Sequence, residues 1–251
     1  MAWYAKQVNS YSRQSIEAIA NATETISTLR TYYNFSFRSC CAILGNIGDE
    51  GGYNPWRWQG DNVQNVNSIS ATVGYGLFQY TPPTKYINSD NYNAYYGVGY
   101  APNFSDQVGS PNDGNAQLHY MGDNFYSTYA NSQYNYQQYK PYWDQAGIDI
   151  DNFYWITDDE MKTGVYESTG TEISIANLTG AFMLCWERPS YSGSASHYNR
   201  RVDDAVWWWE QFHDDPPGPG PGPGPGPDPP TPPPYNPPGK MKLWMMLRHF
   251  L

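Results

Sequence analysis

Cysteine is scarce in this chain: three in 251 residues, two of them adjacent at Cys40 and Cys41. That excludes a disulfide framework, and the three read as small core residues. Neither Cys-x-x-Cys nor His-x-x-x-His occurs, and the four histidines at 119, 197, 213 and 249 are scattered. Zinc peptidase chemistry therefore has no ligand set, and a Cys-His amidase is equally disfavoured with Cys40, Cys41 and Cys185 on apolar helical positions. Asp-x-Asp-x-Asp-Gly spacing is also missing, which leaves calcium without its loop. The expected metal and cofactor complement is none. Long apolar runs are lacking and mean hydropathy is -0.71, which excludes an integral membrane protein. The first residues, Met-Ala-Trp-Tyr-Ala-Lys-Gln, have no basic region followed by an apolar one, so no signal peptide is expected. Basic residues are few, 14 Lys and Arg against 24 Asp and Glu, for a net charge of -10. Nucleic acid, whose phosphates need cations, is excluded as a partner.

What the chain does have is concentrated in one run from Cys41 to Gln59, followed after a gap by Gly74 to Pro83. Cys40, Ile43, Leu44 and Ile47 share one helical face, which predicts a buried or half-buried helix from about Ser36 to Gly48. If that helix reaches Glu50, its carboxyl continues the apolar stripe. Such a carboxyl is poorly solvated when charged, an environment that suits a proton donor. Gly51 and Gly52 stop the helix and Asn54-Pro55 opens a turn, so the acid is expected at the end of an element, facing a cleft. The bland alternative is a helix-ending glutamate that meets solvent.

Three ordered motifs bear on that choice: Gly45-Asn46-Ile47-Gly48-Asp49-Glu50-Gly51-Gly52-Tyr53-Asn54-Pro55, then Gly74-Tyr75-Gly76-Leu77-Phe78-Gln79-Tyr80-Thr81-Pro82, then Trp186-Glu187-Arg188-Pro189. Together they resemble the phage tail lysozyme family, relatives of goose-type lysozymes and soluble lytic transglycosylases, over residues 15 to 212. The resemblance implies a mainly α, α+β lysozyme-like domain with a small β-hairpin or sheet beside the cleft. It implies a peptidoglycan hydrolase that cuts the β-1,4 bond between N-acetylmuramic acid and N-acetylglucosamine, with Glu50 as catalytic acid and glycan strands as partner. Trp58, Gln59, Tyr75, Gln79, Tyr80 and Glu187 are the expected substrate-binding residues. Glu187 has a second reading, an ion pair with an arginine such as Arg188 or Arg200. Gly51 stands where the family has Ser, and Tyr80 where it has Trp. The first departure supports the alternative of a wall-binding tail module without catalysis. Asp61 is the best-placed sequence candidate for the second carboxylate of a hydrolase; without one, Glu50 would serve as both acid and base and a substrate hydroxyl would attack to give an anhydro product, as in lytic transglycosylases.

Elsewhere, helices are predicted over about Arg13 to Tyr32, Ala116 to Tyr129, residues 173 to 187, and His197 to His213, the last with Val202, Ala205, Val206 and Trp209 facing in. Asp158-Asp159-Glu160 reads as a helix start, since acids complement the helix dipole there. Trp207 to Trp209 cannot all face one core, being about 100° apart in turn. Residues 84 to 143 interleave Tyr with Asn, Gln and Gly, which suits either a glycan groove or a polar surface loop. The domain is expected to span residues 1–214. A disordered, extended Pro/Gly linker follows over 215–239, then a short apolar, basic tail, Lys240 to Leu251. That tail is too short to span a bilayer; it suits docking on a membrane surface or on a virion protein. A cell-wall enzyme without a signal peptide fits a virion tail, or the host cytoplasm before release.

Overall fold

The computed structural model describes residues 3–6, 9–64, 70–83, 86 and 113–213. Its contacts form two units, Met1–Trp209 and Glu210–Leu251. Only residues 210–213 of the second unit are described, so the linker and the apolar tail lie outside the described residues, as does the Tyr-rich stretch before residue 113, Tyr86 excepted.

The first unit is mainly helical. Among the described residues α1 is Ile16–Tyr33, α2 Phe37–Glu50, α3 Asp113–Asp123, α4 Phe125–Thr128, α5 Gln133–Gln145, α6 Asp158–Thr163, α7 Ile175–Ala181 and α8 Ala195–Phe212. The starts have local causes. Ser15 and Ser36 cap α1 and α2 by accepting from the backbone N–H groups of Ala18 and Ser39. Thr157 and Glu160 form a reciprocal capping box on α6, where the acidic run predicted a start.

Helix α2 is the centre of the packing, with α1, α6 and α7 laid against it. Cys40, Cys41, Ala42, Ile43 and Leu44 are fully buried on it, and burial pushes the three thiols up, Cys185 to about 12. The cysteines are therefore core residues, as the composition predicts.

Two departures from the predicted elements matter for the site. Residues 173–187 do not form one α-helix: α7 passes at Phe182 into a π-helical turn, Phe182–Glu187, with Arg188 N donating to Met183 O. Such a turn inserts one residue into the helical register, so every side chain after Ala181 is rotated from its α position. On α8 the buried residues are Tyr198, Arg201, Ala205 and Trp208, while Val206 is exposed. Of the four residues predicted to face in, Ala205 does so, but the inward face is turned from the one that Val202, Val206 and Trp209 predict, because an arginine occupies it. Of the three tryptophans Trp208 is buried and Trp207 and Trp209 are half-buried, as their angular spread requires.

The expected hairpin is not formed among the described residues. Between Trp58 and Tyr80 the described residues form isolated antiparallel bridges, Trp58 to Tyr75 and Tyr75 to Tyr80. Side-chain amides take the place of a ladder. Gln117 Oε1 accepts from Leu77 N at 2.7 Å while its Nε2 donates to Pro55 O at 2.6 Å, and Gln59 Oε1 accepts from Gly74 N at 3.0 Å. Positive φ at Gly76 and Gln79, 84° and 45°, bends the segment out of strand geometry.

Helices α2 and α8 touch at Gly45. A Cβ there would collide with Arg201 O and lie 2.7 Å from Ala205 Cβ and 2.9 Å from Ala205 N, so the helix backbones would have to part. Gly45→Ala is expected to lower stability by about 3 kcal/mol, as overpacking against backbone does. Chemical denaturation measures it, and an unchanged midpoint would contradict the close packing.

Candidate active site

Glu50 is the last residue of α2, with its side chain about a quarter exposed. The apolar surroundings predicted for it are not what it meets. Arg201 reaches up from α8, only 2 % exposed, and its Nη2 donates to Glu50 Oε1. Arg201 Nη1 donates to Glu187 Oε2 and, at 2.7 Å, to Asn46 Oδ1. Its Nε stands 3.2 Å from Asp49 Oδ2, an ion-pair distance without hydrogen-bond alignment. One buried guanidinium therefore serves three carboxylates, two at the end of α2 and one at the end of the π-helical turn.

The electrostatics follow from that count. Glu187 is almost wholly buried, and desolvation pushes its carboxyl up to about 8 in spite of the opposing pull of Arg201; Glu50 and Asp49 add to the rise. Burial works against the charge of Arg201, but Glu187, Glu50 and Asp49 outweigh it and raise the guanidinium above its ordinary range. Asp49 has further partners at the rim, with Arg200 Nη2 at 3.1 Å and His197 Nδ1 at 2.7 Å.

The Gly74 to Pro82 segment meets the end of α2 directly. A Cβ on Gly51 would lie 2.6 Å from Gly76 O and 2.7 Å from both Leu77 Cα and Leu77 O. Gly51 thus allows a backbone approach that a serine would block, so its departure from the family pattern has a packing reason. The three motifs converge: the first meets the second at Gly51, and the third through Arg201.

Of the residues predicted to contact substrate, Trp58, Tyr75 and Tyr80 are buried. The Trp58 and Tyr75 rings lie 4.6 Å apart, Tyr80 stacks on Tyr86 at 5.2 Å, and Tyr80 Oη donates to Gln117 O. These rings hold the segment together. Gln59 is exposed, though its Oε1 is engaged by Gly74 N. Gln79 donates through Nε2 to Arg57 O and Gly76 O, while its Oε1 is buried with no hydrogen-bond partner among the described residues. Glu187 makes the ion pair its second reading expects, but with Arg201 and not with Arg188 or Arg200. Asp61 is taken up by Arg57 Nε at 3.3 Å and by the backbone N–H of Asn9 at 2.7 Å.

Arg201 is the residue that sequence reasoning missed. Its signal was a charge in step with Tyr198, Ala205 and Trp208 on the inward stripe of α8.

Comparison with known proteins bears on the same residues. Morphogenesis protein 1 of Bacillus phage B103 is 30% identical over 81 residues, which are 31% of this chain and 21% of that protein. The chain thus covers about a fifth of that relative's length. The family model for phage tail lysozyme matches residues 20–212, from α1 to the end of α8 and with all three motifs inside, and the chain belongs to that family.

Proposed function

We propose that this protein cleaves the β-1,4 glycosidic bond between N-acetylmuramic acid and N-acetylglucosamine of peptidoglycan, and that Glu50 protonates the leaving oxygen. The observation that carries the reading is the convergence of the three motifs on the end of α2, with Glu50 partly exposed where they meet. A glycosidase needs a proton donor at the scissile oxygen and a second group to take the developing cation. Asp61 serves as that second group only by leaving Arg57. Otherwise a hydroxyl of the substrate attacks and an anhydro sugar results. The exposed Gln59 offers an amide contact to N-acetyl and hydroxyl groups, whereas Gln79 does so only by turning its buried Oε1 outward. Trp58, Tyr75, Tyr80 and Glu187 act from beneath, by keeping the segment and the acid in place.

A phage carries such an enzyme in its virion for penetration, or releases it for lysis. The tail Lys240 to Leu251 is proposed to hold it at an anionic membrane surface or on a virion protein.

The test is digestion of purified peptidoglycan, followed by mass spectrometry of the soluble products. New reducing ends are expected for hydrolysis, and anhydromuramoyl ends for the transglycosylase route. Pelleting with the wall while releasing neither would replace the enzyme reading by that of a non-catalytic glycan-binding tail module.

A further inference from the structure

Arg201 touches both ends of the site, and its position is unusual in how completely it is fixed. The side chain is 2 % exposed, comes from a different helix than Glu50, and is met on three sides: Glu187 and Asn46 at Nη1, Asp49 near Nε, Glu50 at Nη2. A guanidinium is a rigid planar fork, so fixing two of its arms fixes the direction of the third. Asn46 is itself anchored, donating through Nδ2 to Ala42 O at 2.9 Å and Thr179 O at 3.2 Å. Glu187 is anchored by the π-helical turn, which rotates it out of the α register of α7. Among the described residues it is Arg201, and no backbone group, that holds the Glu50 carboxyl through Oε1.

We propose that Glu187 is a positioning residue for Glu50: it braces Arg201, and Arg201 sets the place and orientation of the Glu50 carboxyl. The inference rests on the reading of Glu50 as the acid. Glu187 takes no proton to or from the glycan and makes no contact with it. Glu187 braces Arg201 through Oε2, which accepts from Arg201 Nη1, while Arg201 Nη2 is left to Glu50. An amide oxygen can do the same. This separates the proposal from one in which Glu187 acts as an ionised group.

The experiment compares Glu187→Ala and Glu187→Gln in the full chain, on soluble peptidoglycan fragments at pH 7. Nitrogen-15 NMR of the Arg201 guanidinium runs beside the kinetics. Glu187→Ala is expected to lower kcat about tenfold with KM changed less than twofold, and to let the Arg201 Nη signals average as the fork begins to turn. Glu187→Gln is expected to recover most of that kcat and to keep the Nη signals separate. If Glu187→Ala does not fold, Glu187→Gln decides alone: separate signals and a kcat within about threefold of wild type support the brace. A tenfold loss in Glu187→Gln with the Arg201 signals still separate overturns it, because the effect then does not pass through Arg201. An unchanged kcat in Glu187→Ala with a freely turning Arg201 overturns it as well. Glu50→Gln distinguishes the two levels: if it stays active the acid assignment falls first, and if it is dead while Glu187→Ala is normal only the brace falls.

Discussion

Glu50→Gln is expected to abolish most of the proposed wall-degrading activity, by at least about 100-fold, the lower range of what a positioned general acid contributes. The substitution is chosen because an amide keeps the length and shape of the side chain and leaves an oxygen to accept from Arg201 Nη2, so the local frame survives. What disappears is the proton that the proposed reaction would deliver to the leaving oxygen. Arg201 keeps Glu187, Asn46 and Asp49, and the fold is expected to remain intact by circular dichroism. The measurement is turnover of purified peptidoglycan at equal protein concentration. Near wild-type turnover in a folded Glu50→Gln protein would remove Glu50 from the chemistry. The result also separates the catalytic reading from that of a binding module, since a module that only binds the wall loses nothing measurable with this proton.

The part of this site that could be read from the chain is the part encoded locally. The apolar stripe Cys40, Ile43, Leu44 and Ile47 forms one face within four turns, and its helix ends at the residue before Gly51, where the glycine pair predicts an end. Glu50 at that end was therefore legible. Its surroundings were not, because they come from 151 residues away: the side chain that meets Glu50 belongs to α8. Hydrophobic periodicity ranks an arginine as outward, so it turned the inward face of α8 toward Val206 and Trp209 and away from Arg201. The π-helical turn was equally hidden, since Phe182 to Glu187 satisfies α spacing in sequence and departs from it only in the backbone. Aromatic composition leaves a different ambiguity. Rings that stack on sugars and rings that stack on one another have the same residue types, and Trp58 and Tyr75, read as sugar contacts, are fully buried against each other. Among the described residues the hairpin is not seen for a related reason: Gly and Gln residues that look like strand and turn supply positive φ and amide bonds in place of a ladder.

Arg201→Met is expected to be the most destabilising single change at the site, by about 3–5 kcal/mol, because it strands carboxyl groups that share one cation. Methionine matches much of the aliphatic volume, so the loss is not mainly one of packing. Asp49 keeps Arg200 and His197 at the rim and Glu50 has access to water, but Glu187, buried beside Trp186, has neither. Among the described residues its Oε1 has no hydrogen-bond partner even with Arg201 in place, and Oε2 would join it. Glu187→Gln in the same chain puts a permanently neutral group there. The double variant Arg201→Met/Glu187→Gln is therefore expected to be less destabilised than the sum of the two single variants, with a coupling of about 1–3 kcal/mol. The pH dependence has a definite sign. A carboxyl raised by burial from about 4.5 to about 8 costs nothing below its unfolded value, and costs progressively more as pH rises toward its folded one. His119, lowered to about 4 by burial, works the opposite way and weakens the fold only as pH falls below about 6.5. Between about pH 6.5 and 8 the Glu187 contribution thus stands apart from that of His119. The wild-type melting temperature should fall through that window and fall less in Glu187→Gln. A parallel decline in both proteins would show that Glu187 is not the buried carboxyl that titrates there.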